Sequence, residues 1–256
     1  MNLSSEAQTE LTRIAVKAGQ LLHQHGAESR LIEQTTQRIG IALGAESMEL
    51  SITPEAIVVT SLFAGNCVTT TRRCYDRGLN MQMVCDVQRI CIMAEKCLLD
   101  TEQVKERLNR LTPFKYNRWL VVLMIGFSCA SFSYFFGGDG AVYLTTFVAS
   151  ASAMIIRQEL AHRHHNPFIN FALAAFIATT IASLGVIYDF GEQPEIAMAA
   201  SVLLLVPGFP LINAVSDMLK GYISMGLARW VFASLLTISV SIGIVASVTL
   251  TGVAGG

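Results

Sequence analysis

The sequence predicts a cytoplasmic α+β domain followed by an all-α five-helix transmembrane bundle. Two observations support this prediction. Fourteen of the 18 lysines and arginines lie at or before Arg118, so charge is concentrated in the first part of the chain. The rest is strongly apolar, and the whole chain is only 14% charged, whereas an average soluble protein has roughly 25% charged residues. We therefore expect one domain over residues 1–115 and a second over residues 116–256.

Residues 1–115 show helical and strand-like patterns in turn. Apolar residues at helical spacing predict three helices: Ser5–His25, Ser29–Leu43 and Asn80–Leu99. A final, charged helix is predicted over Glu102–Leu111. Short runs rich in β-branched residues predict three strands: Ser47–Thr53, Ala56–Phe63 and Cys67–Arg73. Ala64-Gly65-Asn66 is the predicted hairpin turn between the last two strands, so a three-stranded meander is expected.

The remaining residues contain runs of the length needed to cross a membrane. A helix requires about 20 apolar residues to span the hydrocarbon core. Five segments meet or nearly meet this requirement, at about 119–136, 141–156, 168–188, 196–219 and 227–248, and the second of them is short. The fourth segment is interrupted by Pro207-Gly208-Phe209-Pro210.

The loop charges predict an orientation for these five spans. With Arg118 inside, Arg157, Arg163, Lys220 and Arg229 also fall in inside loops, at 157–167 and 217–229. The outside loops carry acidic residues and no lysine or arginine. Because positive residues in short loops stay in the cytoplasm, we expect a cytoplasmic N-terminus and a periplasmic C-terminus. The polar first ten residues do not resemble a signal peptide.

Several classes of function lack their sequence signatures. The net charge of −1 does not indicate nucleic-acid binding. The chain contains no P-loop, GxGxxG, GxSxG or HExxH pattern, so we expect no catalytic residue, no cofactor and no ATP-driven step in this chain. The six cysteines form no CxxC pair and are interpreted as reduced packing residues. His162, His164 and His165 are interpreted as part of a solvated basic loop rather than as a metal site.

The interrupted fourth span is the strongest candidate for a functional site. Pro207, Gly208 and Pro210 cannot continue a regular helix, and transporters use such broken helices to bind substrates or ions. Asn213 and Asp217 are four residues apart, so they share one helix face beyond the break. Asp217 is also a candidate proton carrier, because intramembrane carboxylates often have that role. The alternative is a structural kink with Asp217 at the cytoplasmic interface.

Two arginines complete the candidate site. A carboxylate substrate needs a cationic or N–H-rich partner, and Arg157 and Arg229 could supply it. The alternative interpretation is that both arginines are topology anchors at the ends of membrane spans.

Four motifs resemble those of the bacterial threonine/serine exporter family. They are His25-Gly26-Ala27-Glu28-Ser29, Asp76-Arg77-Gly78-x-Asn80, Pro207-Gly208-x-Pro210-Leu211-x-Asn213-Ala214-x-x-Asp217 and Gly226-Leu227-Ala228-Arg229. The chain resembles the larger subunit of the split form of this family, in which a shorter, all-membrane subunit supplies the remaining spans. The resemblance implies secondary export of a small carboxylate across the bacterial inner membrane. Succinate is implied for the split pair, and threonine or serine for the fused relatives.

Two other functions stay open. The chain could be a membrane-anchored enzyme that acts through its cytoplasmic domain, although no motif supports this. It could also be a sensor that reads a cytoplasmic signal, although an anchor has no need of a broken helix. An oligomer of this chain is a further possibility.

Overall fold

The computed structural model describes residues 5–253. They form ten α-helices, one short 3-10 turn and one three-stranded sheet. The described chain divides into two compact units. Of the described residues, the first unit contains 5–115 together with Phe209–Trp230, and the second contains Tyr116–Gly208 and 231–253.

The first unit is built from helices around a small antiparallel sheet. Its first four helices are α1 (Ser5–Gln24), α2 (Ser29–Ala42), α3 (Met81–Glu95) and α4 (Thr101–Arg110). Its strands are β1 (Ser47–Ile52), β2 (Ala56–Phe63) and β3 (Asn66–Arg73), paired in the order β1-β2-β3. The predicted meander is confirmed. Ala64 and Gly65 both have positive φ and form the two-residue turn that suits a hairpin, while Asn66 already belongs to β3.

The core of this unit lies between α1, α2, α3 and the sheet. Leu22 of α1, Ile32 and Ile39 of α2, and Ile57 and Val59 of β2 are fully buried. Burial of each such side chain stabilises a fold by about 1.5–3 kcal/mol. The helical spacing seen in the sequence therefore marks the buried faces.

The third helix ends earlier than predicted, at Glu95 rather than Leu99. Cys97 adopts a positive φ of 53°, and the N–H groups of Cys97 and Leu98 bond back to the carbonyls of Ala94 and Met93. These two bonds form a Schellman motif, which closes a helix whatever the hydrophobicity of the next residues.

The second unit supplies most of the membrane-capable helices. Four helices in the described chain are long and apolar enough to cross a membrane: α5 (Arg118–Phe135), α6 (Gly140–His162), α7 (Pro167–Ile187) and α10 (Ile223–Thr251). A fifth span results if α8 (Glu195–Ser201), the 3-10 turn Leu203–Leu205 and α9 (Gly208–Leu219) count as one interrupted crossing. The chain is therefore a multi-pass membrane protein.

Two predicted inside loops are largely helical, which corrects the sequence interpretation. Helix α6 continues to His162, so Arg157 lies within a helix rather than in a loop over 157–167. Helix α10 begins at Ile223, so Arg229 lies in its second turn. The predicted bounds followed hydropathy, which marks the apolar residues that can contact lipid. The helices themselves continue beyond the apolar residues, because a helix is defined by its backbone hydrogen bonds.

Small residues allow close packing between α7 and α10. Ala174, Ala175 and Ala178 of α7 are fully buried. A Cβ on Gly243 of α10 would lie 2.2 Å from the carbonyl oxygen of Ala172. Membrane helices commonly approach each other through such small residues.

We expect Gly243→Ala to destabilise the second unit by about 1–3 kcal/mol, because the new methyl group overlaps backbone of α7. Thermal unfolding of the detergent-solubilised protein measures this change. Gly140→Ala is the matched control, because a Cβ at Gly140 meets no atom within 4 Å. Equal melting temperatures for the two variants would contradict this packing.

Candidate functional site

The predicted interruption of the fourth span lies at Val206 and Pro207. Helix α8 passes into the 3-10 turn, whose cap residue Val206 has extended backbone angles. Helix α9 then begins at Gly208, and Pro210 occupies its first turn. A proline is tolerated there because the first N–H groups of a helix have no partner within that helix. The break is confirmed, and the prolines lie where they end one helix and start another.

Beyond the break, α9 contacts the turn that joins α1 and α2. We call residues His25–Ser29 the 25–29 turn. The Nδ2 group of Asn213 donates to the carbonyl oxygen of Gly26 at 3.0 Å. The backbone N–H of Ser29 donates to Oδ1 of Asp217 at 2.9 Å. Asn213 and Asp217 therefore share one helix face, as their spacing predicted.

Asp217 caps the N-terminus of α2. The side chain of Glu28, the residue before this helix, makes no capping hydrogen bond. The carboxylate of Asp217 accepts the hydrogen bond from the Ser29 N–H instead. A negative charge is favourable at a helix N-terminus, where unpaired N–H groups and the helix dipole present positive charge. A capping interaction contributes about 0.5–2 kcal/mol.

Arg229 connects the same carboxylate to the 25–29 turn. Its Nη1 donates to Oδ2 of Asp217 at 2.7 Å, and its Nη2 donates to the carbonyl oxygen of Ala27 at 2.7 Å. Asp217 is fully buried, and the side chain of Arg229 is 16% exposed. Such a buried pair is costly to disrupt, because removal of one member leaves the other charged and unpaired. Hence α2, α9 and α10 meet at one ion pair.

Two polar contacts surround this pair. Lys220, after α9, forms a salt bridge with Glu28, and the hydroxyl of Tyr222 donates to the carboxylate of Glu33 on α2. Partial burial, and then the hydrogen bond to Glu33, raise the pKa of Tyr222 to about 12. Tyr222 therefore keeps its proton and acts as a donor at physiological pH. The sequence interpretation missed these contacts, although Glu28 belongs to a quoted motif.

Two glycines permit this close arrangement. Gly26 has a φ of +82°, and a Cβ there would lie 2.8 Å from Cδ1 of Leu79. A Cβ on Gly226 would lie 2.7 Å from the carbonyl oxygen of Ala214, so Gly226 lets α10 approach α9. Only glycine adopts a positive φ without strain.

The segment at residues 76–80 lies against the end of α1. The N–H groups of Arg77 and Asn80 donate to the carbonyl oxygens of Gln24 and His25. Gly78 donates to the side chain of Asp76 at 2.8 Å, which closes a short turn. The segments that carry the family resemblance are thus joined by hydrogen bonds and close packing. We call the set Asn213, Asp217, Arg229 and the 25–29 turn the motif cluster.

Arg157 belongs to the second unit and makes different contacts. Its guanidinium carbon lies 4.6 Å from the ring centroid of Phe171, and its backbone carbonyl accepts from Nδ2 of Asn170 at 3.0 Å. Within residues 5–253, no carboxylate pairs with its side chain. Of the two predicted arginines, Arg229 has an acidic partner and Arg157 does not.

Comparison with known proteins relates this arrangement to a family. The model of the family described as "Putative threonine/serine exporter" matches residues 13–251. The protein named "Probable succinate transporter subunit YjjP" of Escherichia coli K12 is 52% identical over 256 residues, which cover 99% of both chains. The "Probable threonine/serine exporter" of Mycobacterium tuberculosis H37Rv is 23% identical over 91% of this chain but only 45% of its own length. No solved structure matches the chain.

Proposed function

Since this chain belongs to the threonine/serine exporter family, we propose that it is one subunit of a secondary exporter of small carboxylates, with succinate as its substrate. The observation that carries this proposal is the 52% identity, over 99% of both chains, to the protein named "Probable succinate transporter subunit YjjP". The homologues are named as transporter subunits rather than enzymes, and this chain is likewise a transport protein and not an enzyme.

The proposed complex contains a second membrane subunit. The aligned segment covers only 45% of the tuberculosis relative. More than half of that longer protein therefore has no counterpart in this chain. We assign the missing spans to a shorter all-membrane subunit of the kind called YjjB. The pair acts in the bacterial inner membrane, with residues 1–115 and the N-terminus in the cytoplasm and the C-terminus in the periplasm, as the charges of the loops indicate.

The site residues receive separate roles in this proposal. The break at Pro207, Gly208 and Pro210 is the point at which the fourth span changes conformation, because residues at such breaks absorb backbone rotation. Arg157 attracts the substrate carboxylate. A charged arginine in a membrane-capable helix costs free energy when no acidic side chain pairs with it, so such residues commonly mark a substrate pathway.

The motif cluster has a different proposed role. It ties α9, directly after the break, to the N-terminus of α2 through Asp217 and Arg229. A change of conformation at the break is therefore transmitted to α2 through the hydrogen bonds of Asp217 and Arg229. Proton carriage by Asp217 is a separate hypothesis, tested by the double variant Asp217→Asn/Arg229→Gln, whose side chains can hydrogen-bond without charge. Full proton-coupled export by that variant excludes this role.

Efflux from cells that lack this chain tests the proposal. We expect labelled succinate to leave the cells only when this chain and the second subunit are expressed together. The family description favours threonine or serine as the alternative substrate, so both are measured in the same cells. Restored efflux of either amino acid in place of succinate would contradict the substrate assignment.

A further inference from the structure

The first unit contains a basic cavity whose lining residues do not belong to the motif cluster. It lies between α1, β3 and α4 and has a volume of about 270 Å³. Its charged lining residues are Glu10, Arg13, Lys17, Arg72 and Lys105. The volume lies just below the roughly 300–1,000 Å³ of pockets for drug-sized ligands, so a smaller molecule suits it.

The charges around this cavity do not balance. Lys105 pairs with Glu10, with Nζ and Oε1 2.7 Å apart, and also approaches Glu102 at 3.6 Å. Arg13, Lys17 and Arg72 form no ion pair with any described residue. Four cations against one carboxylate leave the lining with three uncompensated positive charges.

The three unpaired cations come from elements that the fold brings together. Arg13 and Lys17 are four residues apart on α1 and so share one face of that helix. Arg72 comes from β3, which is an edge strand of the sheet. Partial burial, and then the nearby guanidinium groups of Arg77 and Arg72, lower the pKa of Lys17. Lys17 and Arg72 thus repel each other across the cavity, and a bound anion would relieve this repulsion.

We propose that this cavity binds a small anion with at least two negative charges, carried by carboxylate or phosphate groups. Two guanidinium groups can each hold two oxygens of such an anion in a planar, bidentate arrangement, and the lysine adds a point charge. Asn109 offers a neutral donor at the same cavity. The site is a ligand site of the first unit, formed by α1, β3 and α4 alone.

Calorimetric titration of the purified full-length chain in neutral detergent tests this site. Succinate, citrate and inorganic phosphate are titrated at one fixed ionic strength, with sodium chloride as the reference. We expect saturable binding of at least one of the three probes. A higher affinity for citrate or succinate would indicate a carboxylate ligand. A higher affinity for phosphate would indicate a phosphorylated ligand. Heat no greater than that of sodium chloride for all three probes would overturn the proposal.

Matched variants separate a defined site from general surface charge. Lys17→Gln and Arg72→Gln should each raise the dissociation constant about tenfold, which is the effect of losing one charge-assisted hydrogen bond. Arg73→Gln is the control, because its guanidinium lies over the ring of Tyr75, 4.9 Å from the centroid, and does not line the cavity. An equal loss in all three variants would show diffuse attraction and overturn the site. Binding is measured without transport, so the result is independent of the export proposal.

Discussion

Asp217→Ala is expected to abolish export and to lower the free energy of unfolding by about 3–5 kcal/mol. The substitution leaves the guanidinium of Arg229 without its carboxylate in a buried position. It also removes the cap on the first N–H of α2, donated by Ser29. Chemical unfolding in mixed micelles measures the stability, and succinate efflux from cells measures the activity.

The control for this variant is Asp86→Ala. Asp86 also pairs with an arginine, but its contact with Arg89 is a long one, 3.7 Å, and Arg89 is largely exposed. Surface pairs of this kind contribute about 0–1 kcal/mol, so Asp86→Ala should keep both stability and export close to those of the unchanged chain.

A double variant separates folding from function at the same pair. Asp217→Leu/Arg229→Leu removes both charges, and replacement of a whole buried pair by apolar residues is often neutral for stability. We expect this variant to be more stable than Asp217→Ala and still inactive in export. Full export by Asp217→Ala or by the double variant would contradict the role of the motif cluster.

The triple variant Pro207→Ala/Gly208→Ala/Pro210→Ala is expected to lose export without loss of stability. Alanine is the best helix former, and a proline within a helix costs about 3 kcal/mol relative to it, so the substitutions favour a continuous helix through residues 206–210. A Cβ at Gly208 meets no atom within 4 Å, so the new side chain fits. Efflux and thermal unfolding, measured on the same protein, distinguish a closed break from a misfolded chain.

Pro113→Ala is the control for the triple variant. Pro113 is exposed in the segment between α4 and α5 and lies in no helix or strand. We expect this change to leave export unaffected. A triple variant that exports as well as Pro113→Ala would show that the break is only a structural kink, and would favour an anchored sensor.

The sequence predicted elements whose pattern is local. The β-branched residues of Ala56–Phe63 predicted β2 with its observed bounds. The two prolines around Gly208 predicted the break, because no continuous helix accommodates them. The ends of helices were less predictable. The end of α3 depends on backbone hydrogen bonds donated by Cys97 and Leu98. Neither residue type is typical of a helix end, so the sequence does not predict this termination.

The candidate site was predictable in part for a similar reason. The spacing of Asn213 and Asp217 placed them on one face, since that follows from helix geometry alone. Their partners in the 25–29 turn lie 187 and 188 positions away in the chain, and only the tertiary fold reveals them. Arg229 was predicted as a substrate partner or a topology anchor, whereas its guanidinium bonds to Asp217 and Ala27. The basic cavity was not predicted, because Lys17 and Arg72 meet only after folding.

Transport by purified components tests the central claim most directly. This chain, the second membrane subunit, or both together are reconstituted into liposomes, and uptake of labelled succinate is measured under an imposed ion gradient. We predict uptake only in liposomes that contain both chains, and its loss when this chain carries Asp217→Ala. Equal uptake by liposomes with the second subunit alone, or no uptake with both chains under any gradient, would contradict the assignment of this chain as an exporter subunit.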